Sequence, residues 1–280
     1  MNRRPFSLLM SVYFRESPTF LRESLDSVLA SSVCPDELVL VEDGPLGAAL
    51  HAVIDEFRAT LRIRSVPLAV NIGLPGALDA GLAECSHEIV ARFDTDDVCD
   101  PRRFAMQLAY LEDHPEVVVV GCAVQEFDMH TGKTLSVRAP PCTHEAITDF
   151  ARMSSPFNHP ATMYRKSAVL SVGAYPSHMT VAFEDYALWV RLILAGYRLA
   201  NLPNVLVHMR AGEAQAGRRR GWRYARQEIK FALEFRKAGF LSTWQCLRFM
   251  AIRVPVRFLP KRQVVALYRR FARQLPQVPG

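Results

Sequence analysis

Three aspartates lie within four residues: Asp94, Asp96 and Asp97. Carboxylates this close repel one another unless a cation or fixed donors compensate them. Hard oxygen ligands of this kind suit Mg²⁺ or Mn²⁺; water or a substrate phosphate must complete the octahedron. Taken alone, the cluster is equally a solvated turn, followed by Asp100 and Pro101 as the cap and first residue of a helix. Asp43 precedes Gly44-Pro45 and reads either as a turn carboxylate or as a hydrogen-bond acceptor for a ligand. Glu184-Asp185 opens a later helical pattern, where the dipole keeps a carboxylate ionised; that suits a plain cap or a general base. Tyr13 is either an aromatic face for a nucleobase or an ordinary core-edge tyrosine.

These groups are positioned by an alternation of strand and helix. Residues 6–12, 38–41, 61–66, 88–93 and 117–120 read as apolar strands. Between them lie amphipathic helices, the first opened by Ser17-Pro18 with Leu21, Leu25 and Val28 on one face. Continuous apolar strands alternating with helices predict an α/β fold with a mostly parallel sheet covered on both faces. Ligands in such sheets bind beyond the carboxyl ends of the strands. Tyr13, Asp43 and the Asp94 cluster follow the first, second and fourth strands. A ring, an acid and a metal-binding acid pair at neighbouring strand ends meet the needs of a nucleotide diphosphate. Further on, the pattern predicts a hairpin over residues 125–138, a short strand at 161–165 and a helix over 184–195. Short strands at 198–202 and 205–209 follow, and from Arg218 onward only helix.

Of the 280 residues, 50% are hydrophobic and 22% charged, which is globular composition. The net charge of +6 hides a split. Residues 218–280 carry 16 bases and 2 acids, net +14; residues 1–217 carry 18 and 26, net −8. That weighs against a uniformly basic nucleic-acid binder, and no nucleic-acid recognition motif is present. The six cysteines show no paired spacing and read as separate thiols in a reducing compartment. Residues 6–10 are too short for a secretory apolar region, and residues 117–124 fall far short of a membrane span. The expectation is a cytoplasmic protein. In the tail, Trp244, Leu247, Phe249, Ile252, Val256 and Phe258 are interleaved with Arg248, Arg253 and Arg257. Basic helices with aromatics suit an anionic membrane surface on the inner face of the cytoplasmic membrane. The competing arrangement is a helical lid packed on the catalytic domain.

Five segments occur in order: Ser11-Val12-Tyr13, Val41-Glu42-Asp43-Gly44, Asn71-Ile72-Gly73-Leu74, Asp94-Thr95-Asp96-Asp97 with Pro101, and Phe183-Glu184-Asp185-Tyr186-Ala187-Leu188-Trp189. Together they resemble glycosyltransferase family 2, the inverting enzymes of the GT-A fold, over about residues 6–225. Pro156-Phe157-Asn158-His159-Pro160 and Arg219-Arg220-Gly221-Trp222 are similar to segments of bacterial capsule, exopolysaccharide and O-antigen enzymes. The chain departs from the family pattern at Ser11, Phe14, Glu42 and Pro45.

The resemblance implies a GT-A catalytic domain over residues 1–217 and a basic helical extension over 218–280. It implies a hexosyl- or N-acetylhexosaminyl-transferase using a nucleotide-diphosphate sugar, UDP-linked, with Mn²⁺ or Mg²⁺. The acceptor would be a saccharide or a polyprenyl-pyrophosphate-linked glycan. Asp96 would hold the metal, with Asp94 supporting it or the ribose and His208 within reach. Val12, Tyr13, Asp43, Asn71 and Gly73 would line the nucleotide, and Asp185 would be the base, with Glu184 its rival. His159 would meet the donor sugar or acceptor, and Arg210, Arg219 and Arg220 the diphosphate. A nucleotidyltransferase shares the sheet and acids but needs a Gly-rich loop after strand one, and Tyr13-Phe14-Arg15-Glu16-Ser17 has no glycine. A degenerate nucleotide-sugar-binding scaffold is the non-enzyme alternative.

Overall fold

Residues 3–129, 131–176, 183–211 and 221–259 are described by a computed structural model. The sheet grows outward from β1 (Phe6–Val12). On one side lie β2 (Glu37–Glu42) and β3 (Ile63–Pro67); on the other lies β4 (Ile89–Arg92), all four parallel. The linking helices are α1 (Pro18–Leu29), α2 (Ala48–Phe57) and α3 (Leu74–Glu84). Leu21, Leu25 and Val28 of α1 enter the core with Leu50, Val53, Ile54 and Phe57 of α2, as the apolar spacing predicts. The chain reverses its direction of growth between β1 and β4, which opens a crevice beyond their carboxyl ends.

The second half is mixed. β5 (Val98–Cys99) leads to α4 (Arg103–Asp113), then β6 (Val117–Asp128) pairs with β7 (Thr134–Arg138) as the predicted hairpin. After α5 (His144–Phe150), β8 (Met163–Arg165) runs antiparallel between β4 and β6. α6 (Lys166–Ser171) and α7 (Glu184–Leu194) precede β9 (Arg198–Ala211). The two short strands expected at 198–202 and 205–209 are this one strand. Leu202 pairs with Cys122 and Val205 with Ala123, so Pro203 and Asn204 are absorbed as a bulge.

The strand order is β3-β2-β1-β4-β8-β6-β9-β5. β4 and β5 are adjacent in sequence yet far apart in that order. The loop joining them is a compact turn, so the sheet curls around it.

α7 lies between two cores. Leu188, Trp189 and Leu192 pack on the sheet face; Tyr186, Ala187 and Val190 pack on the tail. The tail contributes α8 (Gly221–Lys237) and α9 (Thr243–Val256), with Phe231, Ala232, Phe235 and Phe249 in that second core. α9 starts with a capping box: Ser242 Oγ accepts the Gln245 amide while the Gln245 side chain accepts the Ser242 amide. Glu228 is fully buried in α8 and takes Arg253 at 2.8 Å and Arg257 at 2.6 Å. Residues 218–220 and 260–280 lie outside the described residues. The second core joins α7 to the tail across the charge boundary.

Candidate active site

Parallel neighbours end at one edge, so β2, β1 and β4 deliver Asp43, Tyr13 and Asp94 side by side. Val12 is buried, and its carbonyl accepts the Asp43 amide at 2.8 Å. Tyr13 is partly exposed and stands edge-on to Phe14 with ring centroids 5.8 Å apart.

Asp43 is buried and serves the loop that opens α3. Its Oδ1 accepts the Ile72 amide at 2.7 Å and its Oδ2 the Gly73 amide at 3.1 Å. Asn71 donates to the Asp43 carbonyl at 3.1 Å. Gly44 has φ +86°, and a Cβ there would meet the Asn71 nitrogen at 2.8 Å. Gly73, at φ +85°, caps α3.

The acids after β4 converge. Asp94, Asp96 and Asp97 each bring a carboxylate oxygen within 4.8 Å of the others. Asp97 is buried; its Oδ1 takes the Arg210 amide at 3.0 Å, and its Oδ2 has no partner among the described residues. Burial, then the charge of Asp94, pushes the Asp96 carboxyl up to about 6. Burial and the same neighbours push Asp97 well above the ordinary range. Hard oxygens with one buried orphan acceptor, and with Asp96 and Asp97 raised in proton affinity, are a donor set that a divalent cation would relieve. His208 is not part of this group. It pairs with Val98 in the β5–β9 ladder, and the charge beside it is Asp100.

Arg210 does not face the crevice as a free cation. Its Nε donates to the Asp96 carbonyl at 2.6 Å, its Nη2 pairs with Glu23, and its guanidinium lies 4.3 Å from the Phe20 ring centroid. It anchors the acid loop to β9 and α1. Arg219 and Arg220 lie outside the described residues.

At the start of α7, Glu184 is buried and Asp185 half-buried. Ser155 Oγ donates to Asp185 at 3.4 Å. Burial, then the Asp185 charge, pushes Glu184 up to about 7. His159 is buried under this region, its Nε2 3.1 Å from the Tyr175 hydroxyl, beside Trp189. Burial holds it far below the usual histidine range, so it is neutral.

Sequence reasoning saw Asp97 in the acid cluster but gave it no role of its own, and passed over Arg92. Arg92 is fully buried at the end of β4, with its Nη2 2.5 Å from Asp94. The available signal was an arginine inside an otherwise apolar strand.

Residues 7–174 match the family model described as glycosyl transferase family 2. The chain belongs to that family. Among its family 2 relatives, the amylovoran biosynthesis glycosyltransferase AmsE of Erwinia amylovora is 41% identical over 95% of this chain and 98% of its own length. The UDP-Gal:alpha-D-GlcNAc-diphosphoundecaprenol beta-1,3-galactosyltransferase of Escherichia coli is 35% identical over 96% and 97%. The fold matches solved GT-A structures. The mannosyltransferase PcManGT from Pyrobaculum calidifontis, in complex with GDP-Man and Mn2+, superposes with TM-score 0.67 at 16% identity, covering 98% of this chain and 77% of that one. S. aureus TarS 1-349 in complex with UDP-GlcNAc gives 0.67 at 16%, covering 96% and 73%. This chain is thus a family 2 glycosyltransferase of GT-A fold with C-terminal helices.

Proposed function

We propose that the chain moves a sugar from a UDP-linked donor to a polyprenyl-pyrophosphate-linked saccharide during surface-polysaccharide assembly, with inversion at the anomeric carbon. The observation that carries this reading is the convergence of Asp94, Asp96 and Asp97 at the strand edge shared with Tyr13 and Asp43. The name of the Escherichia coli relative supports the UDP-linked donor and the lipid-linked acceptor, and that of AmsE supports polysaccharide assembly. The neighbour holding GDP-Man and Mn2+ supports a divalent cation and makes GDP the donor to test against.

Asp96, with Asp94 and Asp97, would hold Mn²⁺ or Mg²⁺, whose part is to neutralise the charge of the leaving diphosphate. Tyr13 offers its ring to the base. Asp43 fixes the loop at Asn71 and Gly73 and keeps lone pairs for the uracil edge. Asp185, ionised at the first turn of α7, takes the proton of the acceptor hydroxyl as its oxygen attacks the anomeric carbon. Glu184 is the rival base, buried where Asp185 is half-buried.

The tail would bring this site to an anionic membrane. Along α9, Trp244, Leu247, Ala251, Ile252 and Pro255 are exposed, and Phe258 follows with Trp222 6.3 Å away, ring to ring. Arg223, Arg226, Lys230 and Lys237 are exposed along α8. No helix among the described residues is long and apolar enough to cross a membrane, so contact would be peripheral. The deciding experiment incubates the protein with UDP-, GDP- and dTDP-sugars and a polyprenyl-pyrophosphate-linked acceptor, with and without Mn²⁺. Metal-dependent UDP release coupled to acceptor elongation is expected, abolished by Asp96→Ala and by Asp185→Asn. Binding without turnover would instead indicate a scaffold.

A further inference from the structure

Arg92 has bonds it does not complete. It ends β4 on the face that Val90 and Trp189 share, because side chains two apart on a strand point the same way. The guanidinium is 2% exposed. Nη2 reaches Asp94, but the buried Nε and Nη1 find no acceptor among the described residues. Across the site, the buried Glu184 Oε2 finds no donor. Burying charged donors and acceptors unpaired is costly, and such atoms are rarely left orphaned. The two residues lie within electrostatic reach: the Arg92 charge favours the ionised form of Glu184. Of the buried groups that feel the Arg92 charge, His159 Nε2 and the Tyr164 and Tyr175 hydroxyls meet one another and not the orphaned atoms.

We propose that Arg92 is a positioning residue bridging the two acid groups of the site: Nη2 holds Asp94, and Nη1, on the other arm of the fork, donates to Glu184 Oε2 when donor is bound. The acid loop and the first turn of α7 are thereby set at one separation. This rests on the roles proposed above for Asp94 and Asp185. Arginine suits the task because its planar fork presents donors on two edges at once; lysine keeps the charge but not the second edge.

The test compares Arg92→Lys, Glu184→Ala and the double variant by kcat, donor KM, thermal midpoint and calorimetric Kd for UDP with Mn²⁺. Arg92→Lys is expected to lower kcat about 30-fold or more, with KM and Kd within about threefold of wild type. The double variant is expected to fall no further than about threefold below the worse single one, because both remove one interaction. Near-native kcat in Arg92→Lys would mean that charge alone suffices, and overturns the bridge. So would additive losses, or a Kd loss equal to the kcat loss, which would place Arg92 in the donor cradle. If Arg92→Lys does not fold, the wild-type structure with UDP and Mn²⁺ decides: an Arg92–Glu184 N–O contact of about 3 Å is expected, and one beyond about 4 Å refutes it. Failure of the underlying reading shows separately, as an Asp185→Asn enzyme that still turns over.

Discussion

Asp43 and Gly73 are tied side chain to backbone: Asp43 Oδ2 accepts the Gly73 amide at 3.1 Å while its Oδ1 holds the neighbouring Ile72 amide at 2.7 Å. The acid after the second strand is thus the strut of the loop that opens α3. An Asn at 43 would turn an amide NH₂ toward one of those N–H groups. Asp43→Asn is expected to weaken UDP binding about tenfold or more, the worth of a hydrogen bond to a charged group. Gly44→Ala should do the same by pushing on the Asn71 nitrogen. Calorimetry with UDP and Mn²⁺ checks both; wild-type affinity in either would detach the loop from nucleotide binding.

Metal affinity should depend on pH. With Asp96 pushed up to about 6 and Asp97 raised well above its ordinary value, binding of Mn²⁺ must displace protons. The apparent Kd is expected to rise about tenfold for each pH unit below about 6. Titrations at pH 5, 6 and 7.5 read this directly, and a pH-independent Kd would remove these acids from the metal site.

Glu184 makes a stability prediction of definite sign. Its proton affinity rises from the ordinary 4.5 to about 7 on folding. Between those values the folded state holds more protons than the unfolded one, so stability falls as pH rises from about 4.5 to about 7 and is level above. Asp96 acts in the same direction. Glu184→Gln is expected to flatten this slope and to melt above wild type at pH 8 but not at pH 4.5. Thermal midpoints across that range measure it; an unchanged slope would contradict the assignment.

In the tail, Glu228→Ala takes the carboxylate from the buried Arg257 and the partly buried Arg253 and is expected to cost about 3–5 kcal/mol. Arg248→Ala, at an exposed position, should stay within about 0.5 kcal/mol. Denaturant midpoints separate the two, and equal effects would argue against a buried ion triad.

Trp244 is 74% exposed and Leu247 51%. Replacing both by serine should leave the melting temperature unchanged and cut binding to anionic vesicles at low salt by about tenfold or more. Co-sedimentation checks this. A wild-type protein that does not bind such vesicles ends the membrane reading.

Much of the site was legible because its acids follow apolar strands, and a parallel sheet brings those ends together. The positions of Tyr13, Asp43 and Asp94 needed only the alternation. What was hidden depends on partners distant in sequence. Arg210 reads as a free cation until Glu23 and the Asp96 carbonyl appear beside it. Arg253 and Arg257 read as membrane-facing bases, yet they turn inward to Glu228, 25 and 29 residues away. Pro203-Asn204 reads as a strand break, but a bulge keeps the ladder intact. The orphaned donors of Arg92 show only in the folded chain.

Because α7 is apolar toward both the sheet and the tail, the helix that carries Asp185 is packed on two sides at once. Grafting a foreign tail at residue 218 would leave Tyr186 and Val190 facing an unmatched surface. Any exchange of tails between family members has to carry α7 along. In this architecture the helix that bears Asp185 and the tail it packs on would be inherited together.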